Sequence, residues 1–328
     1  MFHNLRIGRL AAIAALAGLT PVAMGQDPTA FPAGPVRIVV PFAAGGATDI
    51  TARLVGEKLA LKWKKPVIIE NHAGAGGNVG SDLVAKAKPD GYTLVLGVTG
   101  SHSINTSLFK TMPYHPLRDF EPLTLATVYP NAIVVNTAVP ANNLAELIAL
   151  LKAKPEAFSY GSDGNGTASH LTMELLKTKG GFNATHVPYR GGAPMIADLI
   201  VGQIQIGITG LPAVQQHVKA GTLKLIAITT AKRAPGAPNY PTIAEQGFPG
   251  FAAAPWSGFF APKGTPPAIV AKLAADLAEV MKDPELGKKM QELGSELVPD
   301  TPAEFRKFLE TEIANWAMAV KVSGATVD

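Results

Sequence analysis

The chain has 328 residues, 47% hydrophobic and 16% charged, which is enough apolar material for one large or two medium domains with a sizeable core and too much for a disordered chain. It contains no cysteine, so disulfides, thiolate metal sites, iron–sulfur ligation and cysteine nucleophiles are excluded. The formal net charge of +4 falls to +2 once Arg6 and Arg9 are set aside, because 27 basic residues then stand against 25 acidic ones. The basic residues are scattered rather than striped, and nucleic acid is not expected as a partner.

Residues 1–25 read as a secretory signal. Arg6 and Arg9 form a basic start, residues 10–19 an apolar stretch, and Ala23-Met24-Gly25 a run with small residues ahead of cleavage near Gln26. That stretch is too short for a bilayer, which needs about 20 apolar residues, and no later segment is apolar for longer. The mature product is expected to be soluble, exported and periplasmic.

Beyond it, apolar β-branched runs alternate with helical patterns, the mark of an α/β protein. Val36-Arg37-Ile38-Val39-Val40 predicts a strand, residues 41–48 a glycine-containing turn and residues 49–62 a helix. A second unit places a strand at 67–70, a loop at Gly74-Ala75-Gly76-Gly77, a helix at 81–88 and a strand at 92–96, closed by the small residues 97–101. A middle series follows, with strands at 132–135, 158–161, 185–187, 204–208 and 223–229 and helices at 144–153, 169–179, 193–201 and 211–219. The last hundred residues read as helices. Thr265-Pro266 opens one with apolar positions Ile269, Leu273, Leu277, Val280 and Met281, and the capping box Thr301-Pro302-Ala303-Glu304 opens another that runs to about Lys321.

Three loops lead from a strand through small residues into a helix: Ala43-Ala44-Gly45-Gly46-Ala47-Thr48, Gly97-Val98-Thr99-Gly100-Ser101, and Ser162-Asp163-Gly164-Asn165-Gly166-Thr167-Ala168-Ser169. Free N–H groups at a helix start, with the positive end of the helix dipole behind them, suit a carboxylate or phosphate. Any one such loop is equally well explained as a tight turn. Three of them at strand ends favour a ligand, because ligands of open α/β sheets lie beyond the carboxyl ends of the strands.

Enzyme signatures fail on the same residues. The glycines from Gly74 to Gly80 put Val79 where a dinucleotide-binding loop needs its third glycine, and there is no triphosphate loop, no H-E-x-x-H and no G-x-S-x-G elbow. His72, His102, His115, His170, His186 and His217 are spread singly. No catalytic residue, metal site or cofactor is expected. Asp49 reads as a first-turn cap or dipole partner that could also meet an amine. Tyr189 and Arg190 fit either an anion-pairing role or an exposed turn, and Trp256 reads as packed against a domain surface.

Several segments together carry a specific resemblance: Val39-Val40-Pro41-Phe42-Ala43-Ala44-Gly45-Gly46-Ala47-Thr48-Asp49, Glu70-Asn71-His72-Ala73-Gly74-Ala75-Gly76-Gly77, Lys88-Pro89-Asp90-Gly91-Tyr92-Thr93-Leu94, Tyr160-Gly161-Ser162-Asp163-Gly164-Asn165-Gly166-Thr167, His170-Leu171 and His186-Val187-Pro188-Tyr189-Arg190-Gly191. From about Phe31 to Asp328 the chain resembles the substrate-binding proteins of tripartite tricarboxylate transporters, the TctC or Bug type. The resemblance implies a two-domain periplasmic binding protein fold, type II-like, in which each lobe is a mainly parallel sheet flanked by helices. It implies crossings near 126–129 and 229–231, so that residues 26–127 with 230–328 form lobe I and residues 128–229 form lobe II.

The implied function is capture of a small organic carboxylate, aromatic or aliphatic, by a monomer that delivers it to TctA/TctB-like membrane subunits. Carried over, Phe42, Ala43, Gly45, Gly46, Ala47, Thr48 and Asp49 form one jaw. Gly164, Asn165, Gly166, Thr167, Ala168 and His170 form the other, with Thr99, Ser101, His102, Tyr189 and Thr209 lining the rest. Two departures stand out: His72, where the family often has arginine, and Asp163, a negative charge inside the second jaw. An exported enzyme acting on a carboxylate or ester, or a ligand sensor for a signalling partner, are the rival readings.

Overall fold

A computed structural model describes residues 31–327, so the expected signal segment and its cleavage site lie outside the described residues. In chain order the elements are β1 (Val36–Val40), α1 (Ala47–Trp63), β2 (Val67–Asn71), α2 (Asn78–Ala85), β3 (Thr93–Val98), α3 (Asn105–Leu108), β4 (Phe120–Val128) and β5 (Asn131–Asn136). They continue as α4 (Leu144–Ala153), β6 (Ser159–Ser162), α5 (Ala168–Gly180), β7 (Thr185–Pro188), α6 (Gly192–Ile200), β8 (Ile206–Gly210), α7 (Leu211–Lys219) and β9 (Leu223–Ile228). The remainder is β10 (Trp256–Pro262), α8 (Pro267–Met281), α9 (Pro284–Glu292), β11 (Glu296–Leu297) and α10 (Pro302–Ser323).

These strands form two sheets, ordered β11-β4-β10-β3-β1-β2 and β7-β6-β8-β5-β9. The first sheet draws its strands from before residue 129 and after residue 255, the second from residues 131–228. Two lobes of α/β build are therefore present. Their sheets are mixed rather than mainly parallel: β1 runs parallel to β2 and β3, and β6 to β7 and β8, but β10 lies antiparallel to β3 and β4, and β5 antiparallel to β8 and β9. The antiparallel pairs involve the strands that lead into or out of a crossing, β4, β5, β9 and β10. Such strands are not joined to a sheet neighbour by the helical crossover that parallel pairing needs.

Alternation fills both faces of the first sheet. Ile38, Leu94, Leu96 and Phe259 pack with Val55 and Leu59 of α1 and Leu273 and Leu277 of α8. Their neighbours Val39, Val95 and Phe260 turn to the other face, against Phe305 and Leu309 of α10. In the second sheet Ile133, Val135, Ile206 and Ile208 meet α4 and α5, while Ala132 and Val134 meet Met195 and Leu199 of α6 and Val214 of α7. Ile243, Phe251, Ala253 and Trp316 join the second sheet's cluster, so the chain after β9 packs on both lobes.

Local chemistry sets the helix ends. Asn143 caps α4 by accepting from the Glu146 N–H, and Asp283 caps α9 by accepting from the Leu286 N–H, each at 2.9 Å. The expected capping box at α10 is present, with Thr301 accepting from the Glu304 N–H and Glu304 from the Thr301 N–H. The tail, which its periodicity predicts to be helical, is not purely so. It also supplies β10, a central strand buried along its whole length.

The two crossings are bonded to each other. Asn131 N–H donates to the Thr229 hydroxyl, Thr229 N–H to the Asn131 carbonyl, and Tyr129 N–H to the Pro255 carbonyl, each at 3.0 Å. The crossings thus fall at residues 129–130 and between residues 229 and 255.

Candidate binding site

A cavity lies between the two sheets. From the first lobe it is lined by Phe42, Gly46, Ala47 and Thr48, where β1 passes into α1, and by Thr99 and Gly100 beyond β3. From the second come Asp163 and Thr167–Ser169 at the β6-to-α5 turn, Gly191 and Gly192 at the start of α6, and Thr209 on β8. Tyr129, Asn131 and Pro255, on the crossings, form its floor.

Three helix starts converge here. Gly46 precedes α1 and Gly191 precedes α6, and neither offers a side chain to cap the helix, so their first N–H groups have no side-chain acceptor. The third, α5, is capped by Thr167, whose side chain accepts from the His170 N–H. The lining carries no lysine or arginine. An anion here meets partial charges of backbone dipoles and hydroxyl groups, which need no counter-ion and little desolvation. Close approach to α6 depends on Gly192: a β-carbon there would stand 2.6 Å from Thr209 Oγ1.

Asp49 does not line this cavity. It is 2% exposed and braces the loop from behind: Oδ2 accepts from the Gly45 N–H at 2.9 Å and from Arg53 Nε at 2.8 Å, and Oδ1 accepts from Asn71 Nδ2 at 2.9 Å. Burial alone would raise its pKa, but the bonds from Arg53, Gly45 and Asn71 outweigh burial and hold the carboxyl below the usual range. Asn71 Nδ2 also donates to the Phe42 carbonyl at 2.9 Å, which fixes the turn at the cavity edge. Ala43 and Gly45 belong to this scaffold rather than to the lining.

Ser101 and His102 also fall outside the cavity, because the turn after β3 winds them back into the core. The His102 ring is fully buried, stacks on Phe260 at 4.2 Å, and shares a 2.9 Å hydrogen bond between Nδ1 and Ser101 Oγ. Thr99 does reach the cavity, with its hydroxyl accepting from the Trp256 N–H at 2.8 Å. Trp256, expected against a domain surface, is instead fully buried in β10.

His170 supports the second jaw without lining it. Its Nδ1 accepts from the Gly166 N–H at 3.3 Å, and its ring stacks on His186 at 4.3 Å, whose Nε2 in turn bonds Ser162 Oγ at 2.7 Å. Burial lowers the pKa of His170 to about 4 and that of His186 to about 3, so both are neutral at pH 7. Gly166 packs on Asn105 behind the cavity. Gly164, Asn165 and Tyr189 line an outer chamber that shares Phe42 and Asp163 with the inner one. The Tyr189 hydroxyl is engaged, donating to Asp198 at 2.7 Å.

Of the expected residues, Phe42, Gly46, Ala47, Thr48, Thr99, Thr167, Ala168 and Thr209 meet at the inner cavity. Sequence reasoning gave no site role to Tyr129, Asn131, Gly192 or Pro255. The glycine pair at Gly191 and Gly192, directly before a helical pattern, was the one signal that could have pointed to the third helix start. Among the described residues no cluster of three or more His, Asp or Glu could hold a metal, and no helix is long and apolar enough to cross a membrane.

Residues 51–324 match the family model of the tripartite tricarboxylate transporter family receptor, TctC. Three solved structures share the fold along nearly the whole chain. The periplasmic binding protein BugD is 36% identical with a TM-score of 0.87, covering 90% of this chain and 99% of its own. A protein of R. palustris solved with adipate is 37% identical with a TM-score of 0.88, covering 90% and 100%. MatC of Rhodopseudomonas palustris, with bound malate, is 33% identical with a TM-score of 0.84, covering 88% and 100%. The chain belongs to the tripartite tricarboxylate transporter receptor family.

Proposed function

We propose that this member of the tripartite tricarboxylate transporter receptor family is an exported, monomeric receptor that captures a small organic carboxylate between its lobes and delivers it to TctA/TctB-like membrane subunits, performing no chemistry itself. The observation that carries the reading is the pair of helix starts without side-chain caps, α1 from one lobe and α6 from the other, opening on one cavity that holds no basic side chain. One carboxylate touching both would favour the closed arrangement of the lobes by its differential affinity for that state. The adipate and malate held by relatives support the carboxylate class.

The lobes divide, in this reading, as residues 26–127 with 230–328 against residues 128–229, in keeping with the sheets' strand content. Residues 1–25 serve as the export signal. The test is a thermal-shift screen of the mature, ligand-stripped protein against mono-, di- and tricarboxylates, since a ligand bound only to the native state raises the melting temperature. A saturable shift with one structural group is expected. No shift with any carboxylate contradicts the reading.

A further inference from the structure

Outside the inner cavity the two lobes meet again, where α7 of the second passes the turn between α9 and β11 of the first. Helix α7 enters from the crossing, with the Leu211 N–H donating to the Pro130 carbonyl at 2.9 Å. Its start has two neighbours. On the cavity side, a β-carbon on Gly210 would lie 2.8 Å from Ala47 Cβ, at the first residue of α1, and 2.9 Å from the Tyr129 ring. The other neighbour is the α9–β11 turn, where a β-carbon on Gly294 would lie 2.5 Å from Leu211 Cδ2 and 3.7 Å from Gln215 Oε1. That turn is itself tied to the crossing, since Glu296 pairs with Val128 in the first sheet.

Two buried groups at this contact are left over. Gln215 is 2% exposed and Ser295 1% exposed, and among the described residues neither Gln215 Oε1 nor Ser295 Oγ has a hydrogen-bond partner. Leu211 and Gln215 share one face of α7, a single turn apart, and Ser295 follows the glycine that this face touches. The amide oxygen accepts and the hydroxyl has a proton to donate, and the two stand on opposite lobes. Buried polar groups without partners are costly and rare, so the shut arrangement carries a cost that a shift of one lobe against the other can relieve.

The inner cavity lies between the starts of α1 and α6. A rotation about the crossing that draws Gly210 away from Ala47 opens it, and carries the Leu211–Gln215 face along the turn, where Gly294 presents no side chain. We infer that in the open, solute-free form the Ser295 hydroxyl donates to Gln215 Oε1, a bond that closure breaks, so that this pair is a latch holding the empty protein open. The inference rests on the receptor reading above for its two-lobe motion and is independent of which solute is bound.

Small-angle X-ray scattering of the mature, ligand-stripped protein tests it, because opening raises the radius of gyration whatever the solute. The wild type is expected to scatter as a form more extended than the shut arrangement. In Ser295→Ala and in Gln215→Met the radius of gyration is expected to fall, as the ratio of open to shut protein drops about two- to tenfold, the scale of one net hydrogen bond. The double variant is expected to match either single one, since the same bond is lost in all three. A wild type already as compact as the shut arrangement overturns the inference. So do single variants that scatter like the wild type, or a double variant that falls by the sum of both. Each of these results leaves the carboxylate reading to the thermal-shift screen, which decides it separately.

Discussion

The backbone N–H of Ala43 donates to the carbonyl of Arg190 at 3.0 Å, a main-chain bond from the β1–α1 turn of one lobe to the turn before α6 of the other. Close by, a β-carbon on Gly46, ahead of α1, would stand 3.7 Å from the Gly192 nitrogen at the start of α6. Between such surfaces side chains would hold the lobes apart, and the chain uses glycine. A β-carbon on Gly100 would stand 2.8 Å from the Gly166 carbonyl oxygen across the cleft, and one on Gly76 would come still closer to that of Asn165.

Gly100→Val is therefore expected to obstruct closure without altering either sheet. Overpacking at a tight contact costs about 1–3 kcal/mol, which weakens binding about tenfold to a hundredfold if it falls on the closed state alone. Calorimetry should show the loss, with cooperative melting retained. Unchanged affinity would show that closure does not use this contact.

Gly192→Ala acts inside the cavity instead of at its rim. Its new methyl group would crowd Thr209 Oγ1 and occupy the face opposite Asp163 Oδ1. Solute binding should fall at least about tenfold, while urea unfolding shifts by less than about 1.5 kcal/mol. A variant that binds normally would place the solute elsewhere.

Asp49 acts on binding through the loop it braces. Asp49→Ala strands the Gly45 N–H and removes the acceptor for Arg53 and Asn71. Because Arg53 remains half exposed, the cost is expected at about 1–3 kcal/mol, below that of a fully buried pair. Weaker solute binding should accompany it, since the Phe42-to-Thr48 turn loses its support. Urea unfolding and calorimetry measure the two effects, and a loss of stability with undiminished affinity would separate the brace from the site.

Acid should destabilise the protein through its buried histidines. Burial holds His102 and His186 at about 3 and His170 at about 4, below the ordinary 6.5. As pH falls from about 6.5 toward 4 the unfolded chain takes up protons that the native state refuses, so stability is lost. Asp163, which burial raises to about 6 against the opposing Thr209 and Ser169 hydroxyls, acts in the other sense between about 6 and 3.8. Three groups against one leave a falling melting temperature. His186→Phe keeps the ring that stacks between Tyr160 and His170 and removes its titration, so melting curves from pH 7 to 5 should flatten. An unchanged slope would contradict the assignment.

Elements whose determinants are local could be read directly. α4 and α7 occupy 144–153 and 211–219 as their periodicity predicts, and the Thr301–Glu304 box marks the start of α10. β10 could not be read, because a central strand buried on both faces shows no alternation, and its partners β3 and β4 lie more than a hundred residues earlier. The site divides in the same way. Phe42, Gly46 and Thr167 sit on strand-to-helix turns with a local signature, whereas Tyr129, Asn131 and Pro255 reach the cavity only because the crossings run beneath it. His102 was misplaced because nothing nearby in sequence shows the turn that carries it onto Phe260.

The most direct measurement is a crystal structure of the mature protein with the acid that gives the largest thermal shift. The account predicts one carboxylate in the inner cavity, its oxygens about 3 Å from main-chain N–H groups at the starts of α1 and α6 or from a water bridging to them. A ligand bound outside that cavity, or one whose carboxylate points away from both helix starts, would contradict it.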